Sequence, residues 1–150
     1  MDVDGVLTDG TVWLDDSGRE LKRVSFADIM GVSIGRRAGL EFALVSGESG
    51  HCLDQIAAKF GIGEVYGGCK DKAAALREFA ARQGLGVDEI CYVGDDVNDL
   101  PAFALCGLAV APAGAQPAAR EKAAIVTTQL GGAGAVREVI EYLMSSQAAR

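Results

Sequence analysis

Two aspartates stand two residues apart, Asp2 and Asp4, in the opening stretch MDVDGVLTDG, with Asp9 close behind. Further polar groups recur downstream in short clusters: Ser46-Gly47-Glu48, Cys69-Lys70-Asp71-Lys72 and Gly94-Asp95-Asp96-Val97-Asn98-Asp99. Carboxylates gathered in one cleft repel each other unless a cation offsets them. An all-oxygen set of ligands is hard, so the matching cation is hard as well, and Mg2+ is expected. Mg2+ takes one or two carboxylates together with a phosphate oxygen, which suits phosphoryl transfer. An aspartate can itself be the nucleophile and form an aspartyl phosphate. A second aspartate can protonate the leaving alkoxide and then take a proton from the attacking water. On an extended segment, side chains two residues apart project to the same side. Asp2 and Asp4 are therefore expected to face one substrate. Ser46 is suited to hydrogen-bond a phosphate oxygen and Lys72 to neutralise the transferring group. Asp95 is suited to hold the metal, and Asp99 to orient Lys72 or a metal-bound water.

These clusters need a frame that brings them together. Apolar runs predict strands over 3–8, 11–14, 21–26, 41–46, 64–67, 90–94, 108–111 and 125–128. Helices are predicted over 29–38, 49–60, 70–83, 98–105, 116–123 and 135–146. From Ile29 onward helix and strand alternate, the pattern of a parallel sheet with crossover helices. Ligands bind such sheets at the carboxyl ends of the strands; three of the polar clusters follow the strands predicted over 41–46, 64–67 and 90–94, and Asp2, Asp4 and Asp9 stand around the first. One segment differs. TVWLDDSGRELKRVSF reads as a hairpin over about 11–26, turning at Asp15-Asp16-Ser17-Gly18. Trp13 and Phe26 on it are expected to be exposed, as at an association surface.

Bulk properties narrow the function classes. A chain of 150 residues suggests one domain spanning 1–150, and its size allows a core to form without disulfides or structural metal. The net charge of -7 argues against nucleic acid and anionic membranes as partners. The four cysteines form no C-x-x-C pair, and the single histidine, His51, cannot build a His-rich zinc site. Free thiols, no membrane-length apolar run and no leader-like start make a cytoplasmic protein the expectation.

The series DVDGVLTDG, VSGE, KDK and GDDVNDLP, in this order and spacing, resembles the four motifs of the haloacid dehalogenase (HAD) superfamily of phosphatases. The resemblance runs from Asp2 to the last helix and implies a Rossmann-like α/β fold. The hairpin directly after the first motif, with no cap domain inserted, is similar to the capless 3-deoxy-D-manno-octulosonate 8-phosphate phosphatase group. The late GGAGAVREV resembles that group's C-terminal signature, with Ala133 where a polar residue is common. The resemblance implies Asp2 as nucleophile and metal ligand. Asp4 follows as general acid/base with its carbonyl on the metal, Asp95 as a further ligand, and Ser46 with Gly47 and Lys72 around the phosphate. Asp99 joins the set of metal-site acids. It also implies a phosphorylated sugar-acid substrate and a homotetramer joined through the hairpins. Glu48, followed by Lys59, resembles the branch acting on 2-keto-3-deoxy-nononate 9-phosphate, so the sugar stays open between eight and nine carbons.

Structural readings compete at several positions. Asp96 and Asn98 suit a helix cap, Glu48 a first helical turn, and Lys59, Lys70 and His51 a solvated surface. Asp28 borders the site or caps the helix from Ile29. Gly131-Gly132-Ala133-Gly134 is a joint before a helix, whose N-terminus could hold an anion, and Arg137 is a candidate for a sugar carboxylate. Only Met1 precedes Asp2, so the strand leading into the first motif is expected to be truncated, its neighbours left unpaired or closed together. That feature motivates an alternative, a non-catalytic oligomeric subunit. A receiver domain is disfavoured by the motif order, and a phosphomutase by the lack of a cap to exclude water.

Overall fold

The computed structural model describes residues 1–148. In chain order the elements are β1 (Trp13–Leu14), β2 (Glu20–Leu21), α1 (Phe26–Arg37), β3 (Ala43–Val45), α2 (His51–Phe60), β4 (Glu64–Tyr66), α3 (Lys72–Gln83), β5 (Cys91–Val93), α4 (Leu100–Phe103), β6 (Leu108–Ala111), α5 (Pro117–Lys122), β7 (Ile125–Val126) and α6 (Ala135–Ala148). β1 and β2 form the early antiparallel hairpin. β3 pairs parallel with β4, and β5, β6 and β7 pair parallel in sequence order. This is the expected α/β architecture, with no cap domain among the described residues.

Two apolar layers cover the sheet. On one side Val32, Ile56, Phe60, Val136 and Ile140 pack on Leu44, Val93 and Val110. On the other, Leu76, Phe79, Ala102 and Phe103 pack on Val45, Tyr92 and Ala111. Glycine allows α1 and α6 to approach closely, because a Cβ on Gly31 would come within 3.0 Å of the Arg137 backbone.

The segment 3–8 is a tight loop, not the predicted strand. Val6, Leu7 and Thr8 all donate their amides to the Val3 carbonyl at 2.9–3.3 Å. Alternation along a strand is therefore not what brings Asp2 and Asp4 to one side; the loop does. Phe26 also moves from the predicted hairpin to the first residue of α1, because the Ser25 hydroxyl accepts the Ala27 amide and starts the helix there. The fourth motif opens in a single 3-10 turn, Val97–Asp99, before the short α4.

Where the strand into the first motif was expected to be truncated, Met1 and Asp2 span the gap between β3 and β5. The Met1 ammonium donates to the Ala43 carbonyl, the Val45 amide donates to the Met1 carbonyl, and the Asp2 amide donates to the Val93 carbonyl, each at 2.9 Å. β3 and β5 neither pair nor close together.

Candidate active site

Each predicted cluster arrives at one edge of the sheet on its own element. Asp2 leaves the bridge into the loop 3–8, which Thr8 ties shut: its hydroxyl oxygen accepts the Gly5 and Gly10 amides at 3.3 and 3.2 Å. Ser46 follows β3 and accepts the Glu48 amide at 3.1 Å. Lys72 is the first residue of α3, set there by Asp71, whose side chain accepts the Ala74 amide. A lysine is electrostatically misplaced at a helix N-terminus, so something else must hold it.

That something is a pair of carboxylates. Lys72 is 1% exposed, and its Nζ lies 2.8 Å from Asp2 Oδ2 and 2.7 Å from Asp99 Oδ1. Asp99 is fully buried and fully bonded. Oδ1 also accepts the Tyr92 hydroxyl at 2.9 Å, and Oδ2 accepts the Asp95 and Asp96 amides at 2.9 and 3.2 Å. Asp99 thus fixes both Lys72 and the loop that carries Asp95. The Tyr92 ring is held edge-on to Phe103, with centroids 6.1 Å apart.

The electrostatics follow from crowding. Burial and the Asp99 charge raise the Asp2 carboxyl against the pull of Lys72. Burial and the charges of Asp2 and Asp99 push Asp95 up to about 7. For Lys72, burial alone would depress the ammonium, but Asp2 and Asp99 outweigh it and the group rises.

Asp2, Asp95 and Asp99 place carboxylate oxygens within 4.8 Å of one another. Three carboxylates against one ammonium leave two negative charges, the charge that one divalent cation cancels. The Asp95 carboxylate accepts from no protein N–H or O–H among the described residues. Gly5 leaves the space it occupies, since a Cβ there would lie 2.0 Å from Asp95 Oδ2. A hard oxygen site beside a charge-deficient Asp95 fits Mg2+.

Above this floor opens a cavity of about 650 Å3, lined among others by Asp2, Asp4, Ser46, Gly47, Glu48 and Asp95. Lys72 and Asp99 lie beneath its wall. Lys59 does not join it: its ammonium stands 5.1 Å from the centre of the Phe26 ring, and it is not part of the lining. Arg137 is also outside, paired with Glu141 on α6. Asp28 neither borders the cavity nor caps α1. It accepts the Gly134 and Arg137 amides at 3.1 and 2.9 Å and so caps α6.

Sequence reasoning missed three contributors. Tyr92 lies within a continuous apolar run and read as core. Thr8 was read as a strand residue. Lys22 read as part of the hairpin, yet its Nζ lies 2.8 Å from Asp4 Oδ1. The hydrogen-bonding capacity of Tyr92 and Thr8 and the charge of Lys22 were the signals available; their partners lie across the fold.

The haloacid dehalogenase-like hydrolase family profile matches residues 38–140. The chain belongs to this hydrolase family. Among its relatives, the 3-deoxy-D-manno-octulosonate 8-phosphate phosphatase KdsC of Escherichia coli (strain K12) is 35% identical over 147 residues, 98% of this chain and 78% of the relative. The KdsC of Yersinia pestis is 36% identical over 146 residues, 97% of this chain and 78% of the relative. Among solved structures, the Moraxella catarrhalis 3-deoxy-D-manno-octulosonate 8-phosphate phosphatase, in complex with magnesium, phosphate and KDO, superposes with a TM-score of 0.94. It is 32% identical, covering 99% of this chain and 85% of that one. A hydrolase of this family from Streptomyces avermitilis gives a TM-score of 0.90 at 40% identity, covering 94% of this chain and 86% of that one. The expected HAD resemblance, from Asp2 to the last helix, is borne out by relatives that align over 97–98% of the chain.

Proposed function

We propose that this hydrolase is a Mg2+-dependent phosphatase acting on 3-deoxy-D-manno-octulosonate 8-phosphate. The observation that carries the reading is the buried Asp2–Lys72–Asp99 set with Asp95 beside it, beneath a cavity large enough for a sugar. The named activity of the KdsC relatives and the contents of the Moraxella structure support the choice of substrate.

In this reading an Asp2 oxygen attacks phosphorus while the P–O bond to the sugar breaks, and Asp4 gives its proton to the leaving alkoxide. Asp4, now a carboxylate, takes a proton from a water that attacks the aspartyl phosphate. The Asp2–phosphorus link breaks and inorganic phosphate departs. Ser46 and the Gly47 backbone bind phosphate oxygens, and Lys72 holds Asp2 ionised and oriented. Asp2, Asp95 and the Asp4 carbonyl would hold Mg2+, with Asp99 acting through its bonds to Lys72 and the 95–96 amides. Bound there, Mg2+ supplies positive charge to the phosphoryl oxygens.

A second reading is favoured by Glu48, which lines the cavity as the nine-carbon resemblance implies. Lys59, the other half of that resemblance, stands outside, so the eight-carbon sugar is preferred. The deciding experiment is phosphate release from a panel of eight- and nine-carbon sugar-acid phosphates, with and without Mg2+, with Asp2→Asn as control. Release from the eight-carbon ester, dependent on Mg2+ and lost in Asp2→Asn, is expected. Activity that survives Asp2→Asn would remove the nucleophile assignment.

The hairpin is the proposed assembly surface of a homotetramer. Trp13, Leu14, Leu21 and neighbouring Phe26 expose 55–77% of their area, which a second copy would cover. Light scattering is expected to give a tetramer that Trp13→Glu with Leu21→Glu disperses. A monomeric parent protein would remove this part of the reading.

A further inference from the structure

We propose that Lys22 is a specificity-determining residue: its ammonium leaves Asp4 to receive the carboxylate of an incoming sugar acid. This rests on the phosphatase reading and goes beyond it, because phosphate chemistry alone gives Lys22 no task.

Lys22 follows β2 on an otherwise exposed hairpin, yet only 9% of its side chain is accessible. It reaches back 18 residues, placing Nζ 2.8 Å from Asp4 Oδ1 and 3.0 Å from Oδ2. Asp4 is one-third exposed and opens into the cavity. An ammonium has three donors, and Asp4 is the acceptor it finds among the described residues, so one donor is left toward the cavity. The fold thus carries a long, entropically costly side chain to the place where the leaving group of a phosphoester would sit.

The charge around it explains why it is held there. Among the described residues the cavity is lined by seven carboxylates (Asp2, Asp4, Asp9, Glu20, Glu48, Asp95 and Asp96), and two cations join them, Lys22 and Arg23. Arg23 is two-thirds exposed and paired at 3.3 Å with Asp9 at the rim. Lys72 is committed to Asp2 and Asp99 below the floor. Among the described residues, a substrate carboxylate entering this negative field has Lys22 as its inner cation to meet. A sugar phosphate without a carboxylate leaves Lys22 on Asp4.

The test compares the parent protein with Lys22→Met, which keeps the stem and removes the charge, and with Lys22→Arg. Each is assayed with Mg2+ on 3-deoxy-D-manno-octulosonate 8-phosphate and on mannose 6-phosphate, which lacks the carboxylate. A charge-assisted hydrogen bond supports a loss of roughly 10- to 100-fold in kcat/KM on the sugar acid in Lys22→Met. On mannose 6-phosphate the loss is expected to be several-fold smaller than on the sugar acid, and Lys22→Arg is expected to recover most of the sugar-acid loss. As a readout independent of turnover, calorimetry with the free sugar acid, which carries the carboxylate and no phosphate, is expected to show weaker binding to Lys22→Met. Equal losses on both esters, or unchanged binding of the free acid, would overturn the inference and leave the phosphatase reading standing. A parent protein that hydrolyses neither ester would overturn both.

Discussion

Asp95 carries the charge with the fewest partners in the site, and that makes the site proton-sensitive. Its carboxyl is pushed up to about 7 by burial and by Asp2 and Asp99. A raised carboxyl binds its proton below about pH 7, and in the proposed reading, with Asp95 holding Mg2+, that proton competes with the metal for the same oxygens. The sign is therefore fixed: Mg2+ affinity is full above pH 7 and falls as pH drops, by about tenfold per unit if one proton is displaced. Calorimetry at pH 6 and pH 8, in buffers of different ionisation heat, is expected to show release of about one proton at pH 6 and much less at pH 8. Affinity that does not change between the two pH values would mean Asp95 is not a ligand. At this scale the sequence was informative where chemistry and position coincide. Asp2, Ser46, Lys72, Asp95 and Asp99 are polar groups at strand ends, where an α/β sheet gathers its ligands. Tyr92 was not legible, because an aromatic in an apolar run looks the same whether or not its hydroxyl meets Asp99. Lys59 was misplaced for the same reason in reverse: spacing along α2 does not say which way the helix face turns, and it turns toward Phe26.

The elements show how distant segments hold the site loop in shape. Gly132 donates its amide to the Val6 carbonyl at 2.9 Å, and a Cβ on Gly131 would lie 1.9 Å from the Gly5 carbonyl oxygen. The late glycines are therefore a close-packed brace under the loop 3–8, where their sequence suggested a flexible joint or an anion site. Asp28 anchors the next step by capping α6 from within α1, across more than a hundred residues of chain. Burial raises its carboxyl, with the cap amides pulling the other way. Removing a cap costs about 1–2 kcal/mol, which for a domain of this size lowers Tm by roughly 2–8 °C. Asp28→Ala is expected to show that loss by thermal unfolding while retaining activity at 25 °C, since Asp28 does not line the cavity. A large drop in activity with no change in Tm would place Asp28 in the site after all. Local propensity predicted a strand from Val3 to Thr8, where the run Val6-Leu7-Thr8 favours extended backbone. Three amides converging on the Val3 carbonyl decide otherwise, and that convergence is a tertiary fact.

For the whole molecule, the strands come in two sets, β3 with β4 and β5 with β6 and β7, and the candidate site draws on both. Ser46 follows β3 and Asp95 follows β5, while Lys72 arrives on α3. The Asp2 amide donates to the Val93 carbonyl at 2.9 Å and the Val3 amide donates to Asp2 Oδ1 at 2.8 Å, so the backbone fixes where this carboxylate stands. Lys72 then ties it to Asp99, with Nζ 2.8 Å from Asp2 Oδ2 and 2.7 Å from Asp99 Oδ1. No one element carries the arrangement: β3, α3, β5 and the 94–99 loop each bring a part, and the sheet edge is where an α/β fold can bring them together.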